Sequence, residues 1–264
     1  MMKLRTIFAI ASLACIAAAL FYTGHRGTLR VQAQSAIHVT PFTVEQITVS
    51  YEKDPAGVIT EQRTLSRRSD GSQAMMGSHP GWLGAPPLRR IDLLDGHTGS
   101  FADWLKGKMT GYSPAKAVAA RKSYLQSPPA GCVDSSDRRL VGNARVNGLD
   151  TYQVVQTVGA GAPQGLTITE WRSPVLSCYS LQLEILHGGS TSPYLRMYTS
   201  FVQLGDPSPI MFDTSPTYTE MKPSEFRKAL FTSMGVTEGA CPTCFTDDLS
   251  KVDETYLHQQ SPLN

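Results

Sequence analysis

The 264-residue chain carries 24 Lys plus Arg against 22 Asp plus Glu, a formal net charge of +2, and only 17% of its residues are charged. That balance excludes the basic footprint of a nucleic-acid binder. With 41% apolar residues, 22 Gly and 17 Pro, the composition excludes a wholly disordered chain and a multi-span membrane protein, and it favours turn-rich β-structure.

Lys3 and Arg5 precede an apolar run over residues 7–22, and no acidic residue occurs before Glu45. A basic start followed by a short apolar run is the pattern of an export signal. The run falls short of the roughly 20 residues that a membrane-spanning helix requires. Val31 and Ala33 stand at −3 and −1 of a cleavage point before Gln34, so residues 1–33 are expected to be a signal peptide. The stretch 23–30 is long and basic for a signal. An uncleaved N-terminal anchor, with membrane association through it, is therefore the alternative. Cys15 follows Ser12, Leu13 and Ala14, with Ser12 where a lipid-attachment motif has a large aliphatic residue and more apolar sequence after the Cys, and no lipidation is expected there. Removing residues 1–33 takes away four basic residues and no acid, leaving 20 basic against 22 acidic. The mild basicity belongs to the targeting segment.

Residues 34–235 read as a single β domain and 236–264 as a weakly structured tail. Ile47, Val49 and Tyr51 alternate with Thr48 and Ser50, the period-2 signature of a half-buried strand. Asp54, Pro55, Ala56 and Gly57 are a turn signal, and residues 58–68 form the returning strand, with Glu61, Arg63, Arg67 and Arg68 on a face that meets water. A turn at 69–72 and a loop over 77–88 around Trp82 lead to a strand at 89–94. Ser113 and Pro114 open a helix that Ser127, Pro128 and Pro129 stop. Asn147 and Gly148 form a turn pair before a strand at 151–158, and a Gly-rich turn leads to another at 166–172. Tyr179, Leu181, Leu183 and Ile185 then make the clearest alternation, with Ser180, Gln182 and Glu184 opposite. Leu195, Met197, Thr199 and Phe201 are expected to share one face of the following strand.

The fold class is therefore mainly β (α+β): an antiparallel meander with short helices at about 113–125 and about 223–234. One internal helix is too little to cover such a sheet. The expected form is a curved half-barrel, whose inward positions Val49, Tyr51, Leu181, Leu183 and Ile185 would line an apolar cleft. A filled core is the alternative.

Beyond residue 33 the cysteines are Cys132, Cys178, Cys241 and Cys244, an even count that predicts disulfides in an exported chain. Cys241 and Cys244 share a C-P-T-C motif, which leaves Cys132 and Cys178 as the long-range pair. Three readings of C-P-T-C stand: a local structural bond, a redox-active pair, or part of a zinc site. The motif lacks a surrounding βαβ unit and a second short-spaced pair, which favours the local bond. Neither a Gly-x-Ser-x-Gly elbow nor a phosphate-binding loop nor His-Glu-x-x-His occurs. Asp247, Asp248, Asp253 and Glu254 lack the spacing of a calcium loop. No catalytic residue, no cofactor and no metal site is expected.

Residues 171–181, W-R-S-P-V-L-S-C-Y-S-L, resemble the segment of LolA-like exported proteins in which a tryptophan and a Pro-containing turn lead into a strand. Residues 205–212, G-D-P-S-P-I-M-F, followed by Tyr218, Thr219, Glu220 and Met221, resemble the final Pro-and-Phe turn of that superfamily, which includes periplasmic lipoprotein carriers and MucB-like envelope regulators. The likeness covers roughly residues 40–225. It implies an unclosed antiparallel half-barrel wrapped on short helices, in some members with an acyl-chain cleft, and hence a lipid or an acylated protein as partner. The Cys132/Cys178 pair resembles uncharacterised envelope members, while that disulfide and the C-P-T-C tail depart from true carriers. The expected function is an exported, non-enzymatic binding protein of the bacterial periplasm or envelope. Two alternatives remain: a thiol–disulfide oxidoreductase using Cys241 and Cys244, and a structural or envelope-regulatory domain with a filled core.

Overall fold

The alternating stretches read from the sequence become strands. In the computed structural model, which describes residues 39–52, 54–77, 86–159, 165–214 and 217–237, β1 (Phe42–Ser50), β2 (Val58–Arg67), β3 (Gln73–Gly77), β4 (Leu88–Asp92), β5 (His97–Ala102) and β6 (Gly107–Tyr112) run up and down. α1 (Ala115–Gln126) leads to β7 (Arg138–Val146), β8 (Leu149–Val158), β9 (Leu166–Ser173), β10 (Tyr179–His187) and β11 (Leu195–Leu204). A short β12 (Thr219–Glu220) and α2 (Pro223–Ser233) complete the order. The predicted signal peptide, Trp82, and the tail with Cys241 and Cys244 lie outside the described residues.

The twelve strands form one sheet in the order β12-β6-β5-β4-β3-β2-β1-β11-β10-β9-β8-β7. Every pairing is antiparallel except that of β12 with β6. The sheet does not close, and with two α-helices among the described residues it is the curved half-barrel expected. It is two meanders and not one, β1–β6 and β7–β11, joined by the long β1–β11 ladder from Phe42↔Leu204 to Ser50↔Leu195. Turn chemistry sets the hairpins. Asn147 and Gly148 both take positive φ, 49° and 78°, as a two-residue hairpin turn requires.

The middle of the β3–β5 region is covered on both faces. Across antiparallel strands, paired residues share a face, so Ala74, Ile91, Gly99 and Phe101 look one way, and Leu88 and Ala102 the other. On the first side the 3-10 turn Pro209–Phe212 sets Phe212 against Ala74, Ile91 and Phe101. On the second, α2 lays Phe226 and Leu230 on Leu88 and Ala102. A Cβ at Gly99 would sit 2.5 Å from Cε2 of Phe101, so only glycine lets that ring fold back along its own strand. α1 buries only Leu125 and is held by Arg121, which reaches the Asp92 carboxylate and the Leu93 carbonyl.

Two expectations about faces are corrected. The β1–β11 register shifts between Glu45 and Gln46, which inserts Ser200 as an extra residue in β11. Met197 and Thr199 stay buried, but Phe201 pairs with Glu45 and is 45% exposed. A bulge of this kind adds one residue and turns the rest of the strand to the other face. Likewise Glu61 and Arg67, expected to meet water, are buried. The expected strand at 89–94 is β4, ending at Asp92.

Candidate functional site

The register sorts the five predicted cleft residues onto two faces. Thr48, Met197 and Leu183 are successive partners across β1, β11 and β10. Leu183 therefore lies on the face that also carries Phe42, Val44 and Gln46, here called the inner face. Val49 pairs with Arg196, which pairs with Glu184, so Val49 looks outward. Tyr51 follows β1, where the chain turns toward β2. On the inner face Leu181 is fully buried among Phe42, Val44 and Leu176, Ile185 is buried opposite Leu195, and Leu183 is half-buried.

The inner face is not uniformly apolar. Gln46 sits at its centre, 2% exposed, and donates from Nε2 to Ser180 O at 2.9 Å and to Thr199 Oγ1 at 3.3 Å. Its Oε1 accepts from Arg63 Nε at 3.0 Å and from the Tyr179 hydroxyl at 2.8 Å. Arg63 pairs with Glu61 at 3.5 Å, and Glu61 accepts from Thr48 Oγ1 at 3.3 Å. Such a satisfied network is what burial of polar groups demands. Arg67 donates from Nη2 to Leu176 O at 2.6 Å and lies over the Phe42 ring, 4.5 Å from its centroid. Burial pushes its guanidinium down to about 10. Burial also lowers Arg90, against which Glu61 acts.

At the β7–β9 end, Cys132 and Cys178 are joined, with Cα atoms 5.3 Å apart. The disulfide packs on Val154 with Tyr124 and Tyr152 beside it. Arg172 grips Glu170 with Nε at 3.1 Å and Nη2 at 3.0 Å, reaches Asp134 at 2.9 Å, and donates to Cys132 O at 2.9 Å. Arg138 closes the ring on Asp134 at 3.0 Å and Glu170 at 3.4 Å. Burial holds the Glu170 carboxyl above its ordinary range despite Arg138. Burial, with Asp134 and Glu170 adding to it, pushes the Tyr124 phenol up to about 12. This cluster ties the disulfide segment to the sheet.

A third feature is an open cleft of about 520 Å³ where the β1–β2 and β10–β11 connections meet. Tyr51, Glu52, His187, Tyr194 and Arg196 line it, with Pro55, Pro193 and two serines. Burial, and then Glu52, raises the Tyr194 phenol. Of the predicted residues only Tyr51 belongs to it.

Sequence reasoning passed over Gln46, Glu61, Arg63 and Arg67 as site residues. A signal existed: Glu61, Arg63 and Arg67 share the parity of Leu65, so one face of β2 had to carry all four. Among the described residues no group of three or more His, Cys, Asp or Glu is placed to hold a metal ion. No described helix is long and apolar enough to cross a membrane.

No family model matches this chain, and no curated protein does. Among solved structures it is similar to a chain of the MucA/MucB complex of Pseudomonas aeruginosa, at 16% identity and a TM-score of 0.42, over 72% of this chain and 60% of that one. It thus spans about three fifths of that chain's length. LprF from Mycobacterium bovis gives 13% identity and a TM-score of 0.30 over 66% of this chain and 90% of that one. A LolA-superfamily protein from Nitrosomonas europaea gives 11% and 0.30 over the same shares. These likenesses lie at identities below 20% and TM-scores below 0.5.

Proposed function

We propose that the protein is an exported binding protein of the bacterial envelope that holds a lipid or an acylated partner against the inner face of its half-barrel. The export-type N-terminus and the Cys132–Cys178 bond, of a kind that persists in oxidising compartments, support the location. One observation carries the binding reading. The twelve-stranded sheet is unclosed, and of the two α-helices among the described residues α1 buries a single residue. Leu65, Met75, Ile168 and Leu183, which the register places on the inner face, are left half-buried.

Native mass spectrometry after mild purification tests this, together with displacement of a fluorescent fatty acid. A co-purifying lipid and saturable, displaceable probe binding are expected, and Leu183→Glu should weaken the probe. Absence of both lipid and probe binding overturns the reading. A second reading, a structural or regulatory domain, is favoured by the filled cluster of Phe42, Val44, Leu176 and Leu181 and by the partnered Gln46. It requires that the probe fail to bind.

A further inference from the structure

We propose that the outer face of the β8–β11 half, together with the cleft at its loop end, binds a neutral β-linked polysaccharide. The site is separate from the inner face and stands whether or not that face takes a lipid.

The cleft is of small-ligand size and is held by the fold. Tyr51 N donates to Tyr194 O at 2.8 Å, and Tyr194 N donates to Ile185 O at 2.9 Å. The His187 and Tyr194 rings stack with centroids 4.3 Å apart. Gly57, at φ +84°, is required beneath Tyr51: a Cβ there would meet the Tyr51 ring at 2.7 Å and Val49 Cγ1 at 2.6 Å. The aromatic surfaces are therefore positioned before any ligand arrives.

Arg196 leads from the cleft onto the outer face, where it pairs with Glu184 at 2.9 Å. One step further along the strands, Gln153, Trp171, Gln182, Tyr198, Ile47 and Gln62 are successive partners across six strands. Trp171 and Tyr198 stand two strands apart, about 10 Å by the spacing of strands, roughly the length of two pyranose rings in line. The Gln182 carboxamide lies between them in the row. Trp171 is half-buried and Tyr198 is 36% exposed.

Charge selects among ligand classes. The row contains no ionised side chain, and beside it Glu52, Glu184 and Arg196 leave only a single negative charge, with Arg196 already engaged by Glu184. An uncharged row complements a neutral ligand, gives an anionic polymer no cation to pair with, and gives a cationic polymer one carboxylate at the cleft and none along the row. The Gln182 carboxamide donates from Nε2 to Glu184 at 3.4 Å, and an all-apolar ligand would cover the row's amide groups without bonding their remaining donors and acceptors. A sugar chain meets both demands, its C–H faces resting on aromatic rings and its hydroxyls on amide and phenol groups.

The test is titration of the full chain with chitohexaose and cellohexaose, followed by calorimetry and Trp fluorescence. Saturable binding of at least one hexaose, retained in high salt, is expected. Tyr194→Ala and Tyr198→Ala should each weaken it about tenfold, while Tyr198→Phe stays near the parent affinity. Unchanged melting temperatures would show that these surface variants fold. Absence of binding by either hexaose, affinity indifferent to both alanine variants, or binding abolished by salt overturns the proposal.

Discussion

The two meanders differ in how arginine is held: both contain ion pairs, such as Arg63–Glu61 in the first, but among the described residues only the first sets arginines on aromatic rings. In the β1–β6 half, arginines chiefly lie on aromatic rings: Arg67 over Phe42 at 4.5 Å, Arg68 over Phe212 at 4.0 Å and Arg89 over Phe101 at 4.6 Å. In the β7–β11 half they pair with carboxylates: Arg138 and Arg172 with Asp134 and Glu170, and Arg196 with Glu184. The difference arises from covering. α2 and the Pro209–Phe212 turn lay apolar side chains on the two faces of β4 and β5, where Arg89 gains from a ring face, while a buried carboxylate in this half, Glu61, is kept only with Arg63 as partner. The second half has less apolar cover and is closed by a disulfide and an ion-pair ring. The same strand topology is thus stabilised by packing on one side and by cross-links on the other.

Substitutions can break this contrast. The largest effect is expected from Phe101→Ala, about 3–5 kcal/mol in urea unfolding, because the ring is fully buried between two covered layers. Replacing Cys132 and Cys178 by Ser should cost about 2–4 kcal/mol, the loss of a cross-link over a 46-residue separation. If the halves are energetically independent, combining these changes gives an additive loss, and strong non-additivity would merge the two regions into one unit. Arg172→Met should cost about 2–3 kcal/mol, below a fully buried pair because Asp134 is partly exposed. Raising salt should narrow that difference, whereas it should leave the Phe101→Ala loss unchanged.

The smallest effect concerns the β12 edge. Glu220 accepts from Thr110 Oγ1 at 2.7 Å and Thr110 N at 2.8 Å, and these bonds hold its carboxyl below the ordinary range. Its contribution is present above the ordinary glutamate value and is lost as pH falls through the lowered folded value, because the unfolded chain takes up the proton first. Amide exchange at Thr110 should therefore quicken in acid, and Glu220→Gln should flatten that dependence.

Legibility tracked pattern strength. The alternation from Tyr179 to Ile185 announced β10, and Asn147 with Gly148 announced the β7–β8 hairpin. β3, β5 and β6 carry Gly, Ser, Thr and Met in runs of five or six residues, too short and mixed for a period to show. They are strands because Phe212 and α2 cover them. Tyr51, expected in an apolar cleft on the inward face, lines the loop-end cleft instead, and His187, Tyr194 and Arg196 join it only when β1 pairs with β11, an event between residues about 150 positions apart.

Composition and local pattern by themselves determined the class of this protein: a β meander, two helices near their observed places, and Cys132 with Cys178 as partners. Those properties depend on neighbours in the chain or on counting. Which face each residue serves was decided by tertiary structure alone. Bulges between Glu45 and Gln46 and between Ser180 and Gln182 reset the alternation. One inserted residue moves a side chain across the sheet, and only the pairing of distant strands determines where that residue is inserted.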